Sequence, residues 1–252
     1  MSIIQALIFG IVEGITEFLP ISSTGHLMIA DRLLHVGLSP FVTSFNIYIQ
    51  LGAILAVVVL YIKKIFTSWT RFLHIVAAFI PTAIIGLLLY PIIKKVLLEN
   101  LFVVGLSLAI GGLIIILFEY FFAKKIKEKS LSIGKSFWIG IFQALAVIPG
   151  VSRSAATIIG GSALGVKRED IVEFSFLLAI PTMAAATGLD LVKSHFSFSH
   201  SEWLLIALGT ISAFVTALLA VKWFLSYIQK HDFKAFGWYR IIVGLIILIF
   251  LL

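Results

Sequence analysis

Two short stretches of the chain concentrate the residues that could do chemistry. The first reads Glu13-Gly-Ile-Thr-Glu17-Phe-Leu-Pro20-Ile-Ser22-Ser23-Thr24-Gly-His26. Glu13 and Glu17 stand four residues apart and share one face of a helix. Two neighbouring carboxylates in apolar surroundings cannot both stay ionised and unpaired. Either one keeps a proton or a cation bridges them. All-oxygen ligands suit a hard divalent cation, Mg2+ or Ca2+. Ser22, Ser23 and Thr24 follow Pro20, where a new helix can begin, and at least one of these hydroxyls is expected to cap it. Ser23 lies three residues before His26, within reach on a helical turn. A hydroxyl, an imidazole and a carboxylate so close in sequence make the set of an activated nucleophile.

The second stretch reads Pro149-Gly150-Val-Ser152-Arg153-Ser154-Ala-Ala-Thr157. Arginine in a membrane segment is costly and marks a functional site by default. Its fork of donors fits a phosphate or a carboxylate. Gly150 allows close backbone approach, and a helix starting near Ser152 aims free N–H groups and its positive end at the same place. The expectation is an anion cradle, with Ser22, Thr24, Gly150, Ser152, Ser154 and Thr157 as its substrate-binding residues. Arg153 can also neutralise Glu13 or Glu17, and the two roles can alternate.

These stretches have to be positioned by membrane helices. Of the 252 residues 61% are hydrophobic and only 12% charged, with a mean hydropathy of +1.14. A soluble domain carries about 25% charged residues, and a soluble fold of this size could not cover so much apolar surface. An ordinary cytosolic enzyme, a disordered chain and a nucleic-acid-binding domain are excluded. The net charge of +7 then reads as membrane orientation. No cysteine is present, which removes disulfides, thiolate metal sites and cysteine nucleophiles. Met1–Val12 lacks a basic region and is followed at once by Glu13, so the N-terminus is expected to be retained rather than cleaved.

A spanning helix needs roughly 20 mostly apolar residues. Six runs qualify: Phe45–Ile62, Phe72–Ile93, Leu101–Phe118, Phe174–Leu189, Trp203–Val221 and Ala235–Leu252. Two further stretches are apolar but interrupted, and the interruptions are the two reactive segments. Each half is too short to cross at about 1.5 Å per residue, so each is expected to be a re-entrant hairpin with a polar tip. An offset of about 130 residues places Gly10 on Gly140, Glu13 on Gln143, Ser22 on Ser152 and Ser23 on Arg153. The expected fold is an all-α integral membrane protein with two inverted-topology repeats, about 1–125 and 134–252. Each repeat is one hairpin plus three transmembrane helices, with the site where the tips meet. Counting Lys and Arg by face gives fourteen opposite the N-terminus, Arg240 included, and four on its own side. The richer face is expected to be cytoplasmic, with both termini and the first hairpin outside. Glu119 and Glu173 lie near span ends and are expected at the interface.

At Glu13–His26 and Pro149–Thr157 the sequence resembles the bacterial undecaprenyl-diphosphate phosphatases of the bacitracin-resistance type. The similarity extends to Ile49-Gln-Leu-Gly52 and to Glu173-Phe-Ser-Phe-Leu-Leu-Ala-Ile-Pro181. Glu13, Glu17, Ser23, His26 and Arg153 match the family's motifs residue by residue. One departure is Asn46, where many members carry an acidic residue. The resemblance implies a multi-pass enzyme of the bacterial plasma membrane, facing outward. It would convert undecaprenyl diphosphate to undecaprenyl phosphate and inorganic phosphate, recycling the lipid carrier for cell-wall synthesis. It implies dependence on a divalent cation and a polyprenyl diphosphate partner, with no nucleic acid, and leaves homodimerisation open. In that reading Glu13 and Glu17 hold the metal, Arg153 holds phosphate, Ser23 or a water attacks phosphorus, and His26 or Glu17 relays the proton. The rival expectation is a transporter or lipid flippase with an anion site between the two hairpins.

Overall fold

The computed structural model describes residues 1–37, 39–66, 68–92, 100–122, 130–193 and 198–251, and its architecture is helical throughout. The helices are α1 (Ile3–Thr16), α2 (Ser23–Leu34), α3 (Pro40–Phe66), α4 (Trp69–Ile92), α5 (Leu101–Phe121), α6 (Ile133–Ala144), α7 (Arg153–Ala163), α8 (Arg168–Lys193), α9 (His200–Ile228) and α10 (Lys234–Ile246). A 3-10 turn, Leu145–Val147, extends α6, and a π turn, Ile247–Leu251, extends α10. Among the described residues six helices are long and apolar enough to cross a membrane: α3, α4, α5, α8, α9 and α10 with its extension.

The spanning helices overrun the apolar stretches that announce them. Lys63 and Lys64 continue α3, and Arg168, Glu169, Asp170 and Glu173 belong to the first turns of α8. Hydropathy marks the depth at which a helix meets lipid, not where its hydrogen bonds stop. Long basic side chains let the helix continue into the interface. Six of the lysines counted by face, Lys94, Lys95, Lys124, Lys125, Lys127 and Lys129, lie outside the described residues.

The four short helices form two pairs, α1 with α2 and α6 with α7. Each begins or ends for a local reason. Ser2 caps α1 in a reciprocal box with Gln5, and Ser132 caps α6 by accepting from Lys135 N–H. Past α1 the chain meets Pro20, which has no N–H to donate. Glycine then sets how closely the pairs pack. A Cβ at Gly10 or Gly14 would overlap the carbonyls of Gly209 and Ala213 on α9, and one at Gly140 would overlap the Ala78 carbonyl on α4. Backbones brought this close gain dispersion contacts where lipid offers no hydrophobic drive.

At the end of α5 the structure corrects one expectation. Glu119 is buried, not interfacial. Arg168 Nη2 donates to both of its oxygens at 2.9 Å, and Phe233 N–H donates at 3.2 Å. The apolar run can bury this carboxylate because three donor contacts replace water. Glu173 does remain near the surface, beside Lys64 at 2.8 Å.

Candidate active site between the two helix breaks

Both breaks turn through the same strained backbone. Ser22 has φ 72° and Ser152 has φ 73°, a region that costs a non-glycine residue about 1–3 kcal/mol. The residue after each turn starts a helix: Ser23 opens α2 and Arg153 opens α7. The two breaks touch directly, because Ser154 Oγ donates to the Phe18 carbonyl at 2.8 Å.

A residue counted on the basic face holds them together. Arg240 is fully buried, not on the basic face. Its guanidinium donates to the carbonyls of Pro20 (3.1 Å), Gly150 (3.0 Å), Val151 (2.9 Å), Ser107 (3.3 Å) and Leu108 (3.4 Å). One side chain therefore ties the first break, the second break and α5. Its signal was present in the sequence: a cation inside an apolar run. Without it the basic residues opposite the N-terminus number thirteen.

The reactive groups meet across the breaks. Arg153 Nη2 donates to Glu17 Oε1 at 2.9 Å, and Ser23 Oγ donates to Glu17 Oε2 at 2.5 Å. Glu17 thus serves a cation and a hydroxyl with separate oxygens. Arg153 also donates to the Ser175 carbonyl at 3.0 Å and lies 5.5 Å from the centre of the Phe18 ring. The side chains of Arg153 and Glu17 are only 11% and 8% exposed, so little water screens the pair. A cavity of about 140 Å³ opens on these groups. Ser22, Ser23, Thr24, Gly150 and Ser152 line it, joined by Gln50 and Met183. The Ser22 hydroxyl makes no capping bond, so the first N–H groups of α2 remain free for an anion.

Three expected site residues are placed elsewhere. Ser154 and Thr157 are fully buried and stand outside the cavity lining. Ser154 joins the breaks, and the Thr157 hydroxyl donates to the Arg153 carbonyl at 2.9 Å, with Gln143 Oε1 at 3.4 Å. His26 does not engage Ser23. Its Nδ1 sits 2.7 Å from the Ser22 carbonyl and its Nε2 2.7 Å from the Tyr239 hydroxyl. The turn that puts His26 near Ser23 in sequence puts its ring on the carbonyl four residues back instead.

Glu13 is the remaining acidic residue of the site. It is fully buried, and no donor reaches either oxygen of its carboxylate, which lies within hydrogen-bond range of the Glu17 carboxylate. The charges acting on it are those of Glu17 and Arg153. Among the described residues no group of three or more His, Asp or Glu could hold a metal. A cation here would take its carboxylate ligands from the Glu13–Glu17 pair.

A serine on a carboxylate, facing an arginine beside an uncapped helix start, is a phosphate-handling arrangement. The sequence model of the bacitracin resistance protein BacA family matches residues 6–246. The chain belongs to this family. It is 52% identical to the undecaprenyl-diphosphatase of Aquifex aeolicus, over 98% of each chain. It is 46% identical to that of Persephonella marina, over the full length of both. It is 44% identical to that of Thermus thermophilus, over 98% of this chain and 97% of the relative. Within the family's two motifs, the geometry separates residues that face the cavity from residues that brace it.

Proposed function

We propose that the cavity between the two breaks cleaves the terminal phosphoanhydride of undecaprenyl diphosphate. Water is consumed, and undecaprenyl phosphate and inorganic phosphate are released to recycle the lipid carrier for cell-wall synthesis. The observation that carries this reading is the Ser23–Glu17–Arg153 constellation. Ser23 Oγ attacks the terminal phosphorus and Glu17 Oε2 takes its proton. Undecaprenyl phosphate leaves with that proton from Glu17, which returns the carboxylate to its basic form. Arg153 exchanges its bond with Glu17 for the phosphate oxygens and stabilises the charge spread over them. Water activated by Glu17 then opens the phosphoserine and restores Ser23. A transporter needs no nucleophile on a carboxylate, so this pairing favours hydrolysis over a flippase.

A divalent cation, Mg2+ or Ca2+, fits beside this machinery. Glu13 has two buried oxygens without partners, and Glu17 lies one helical turn away. These two residues would hold it. When bound it supplies positive charge to phosphate oxygens that Arg153 alone does not cover.

The chain is further read as two inverted repeats, about 1–125 and 134–252, each a re-entrant hairpin plus three spans. The matching φ angles at Ser22 and Ser152 support this. So does the exchange of partners, with α1 packing on α9 while α6 packs on α4. A count of thirteen basic residues against four favours a cytoplasmic side for the face opposite the N-terminus. The first hairpin and the cavity then face outside the bacterial plasma membrane, as do both termini.

The test is release of inorganic phosphate from undecaprenyl diphosphate by the purified protein in detergent, with and without chelator. Wild-type turnover that disappears in Ser23→Ala supports the reading. No release by the wild type overturns it.

A further inference from the structure

The two breaks share a backbone turn but are held by different devices. At the second, Ser152 Oγ accepts from Ala155 N–H and closes the cap locally. At the first, the equivalent Ser22 makes no side-chain cap. Its conformation, with φ 72° in a residue bearing a Cβ, has to be held from outside. The Ser22 carbonyl faces His26 Nδ1 at 2.7 Å, and His26 Nε2 faces the Tyr239 hydroxyl at 2.7 Å, with the two rings 3° from parallel.

The protons in this chain are fixed by chemistry. A carbonyl oxygen only accepts, so Nδ1 carries the hydrogen. In the neutral imidazole Nε2 is then a lone pair, and the phenol must donate to it. Both imidazole nitrogens are used, and neither is directed at Ser23. Tyr239 belongs to α10 and immediately precedes Arg240, whose guanidinium takes the Pro20 carbonyl. Two successive residues of α10 therefore fix the carbonyls on either side of Ile21, one directly and one through an imidazole. Ser23 is the next residue along, and its hydroxyl lies on Glu17.

We propose that Tyr239 is a positioning residue for the reaction. By donating to His26 Nε2 it holds the imidazole as the Nδ1–H tautomer. That tautomer grips the Ser22 carbonyl and keeps the Ser23 hydroxyl aimed along Glu17. The assignment rests on Ser23 and Glu17 being the reacting pair. It makes His26 a structural relay from α10 to the turn rather than the base of the reaction.

The experiment is a double-substitution cycle on the full-length protein, read by phosphate release and by 15N NMR of labelled histidine. Tyr239→Phe keeps the ring and removes only the hydroxyl. It should lower kcat about ten-fold or more with KM within about two-fold, the pattern of a misaimed nucleophile. In a His26→Ala background the same change should cost less than about two-fold, because the relay is already cut. The wild-type spectrum should show His26 with a protonated Nδ1 and a bare Nε2, and Tyr239→Phe should mix the tautomers. Unchanged kcat in Tyr239→Phe overturns the proposal, as do effects that multiply in the double variant or a wild-type Nε2–H tautomer. The parent reading fails separately. Ser23→Ala that keeps full turnover would remove the reacting pair while leaving the tautomer spectrum as described.

Discussion

The first break leaves more polar groups without partners than the second, where Arg153 Nε alone is buried without a partner among the described side chains of the turn. Glu13 stands nine residues before Ser22, and Gln143 stands nine residues before Ser152. Gln143 Nε2 donates to the hydroxyls of Thr82 at 3.0 Å and Thr182 at 3.1 Å, and its Oε1 lies 3.4 Å from Thr157 Oγ1. Glu13 has no partner on either oxygen. Five residues after Ser152 stands Thr157, whose hydroxyl serves the amide, and five residues after Ser22 stands Leu27, a hydrocarbon. Ser152 caps its helix and Ser22 does not. A satisfied polar group rigidifies a packed interior, whereas an unsatisfied one stores a demand that a ligand can meet. The second break thus acts mainly as scaffold with one projecting arginine, whose Nε is also without a partner, and the first keeps the uncapped helix start and the bare carboxylate.

The comparison is broken most severely at Ser23. If the first break holds the nucleophile, Ser23→Ala loses about 10³-fold or more in kcat, while Ser22→Ala loses much less. Equal and modest losses in phosphate release would move the attack to water. Arg153 tests the contribution of the scaffold. Arg153→Ala should lower kcat/KM about 10²–10³-fold. Arg153→Lys should recover little, since an ammonium cannot replace the bidentate fork. Near-normal turnover in either would confine Arg153 to pairing with Glu17.

A swap at Glu13 and Gln143 sharpens the contrast. Glu13→Gln should abolish the response to added Mg2+ or Ca2+ and leave the melting temperature in detergent unchanged or higher. Gln143→Glu removes the amide donors to Thr82 and Thr182 and should destabilise by about 1–3 kcal/mol. Equal falls in melting temperature would mean that both positions are scaffold. The smallest effect belongs to the caps. Ser152→Ala should cost about 1 kcal/mol, and Ser22→Ala should cost no stability through capping, both read by thermal melts.

Much of this was legible in the residues because apolar runs and their interruptions are written in hydropathy. The six spans, the two breaks and the expectation that Arg153 can neutralise Glu17 follow from that pattern. Helix ends were not, because Lys63, Lys64 and the charged start of α8 suit a helix as well as a loop. Ser154 and Thr157 were misplaced because a hydroxyl suits a helix contact as well as a phosphate, and only packing decides. Arg240 was legible by its rarity but was absorbed into a charge count. Tyr239 left no local trace, since its partner His26 lies 213 residues away.

The bonds of Arg240 also bear on biosynthesis. The residue that clasps both breaks lies in α10, the last of the spans. During synthesis the chain emerges from its N-terminus, and the residues of both motifs are made well before Arg240. Until α10 enters, five backbone carbonyls of the breaks and α5 lack their shared donor. The two breaks therefore gain this support only once α10 has been made. A chain cut before α10 would carry every residue of both motifs and still lack the guanidinium that joins their breaks.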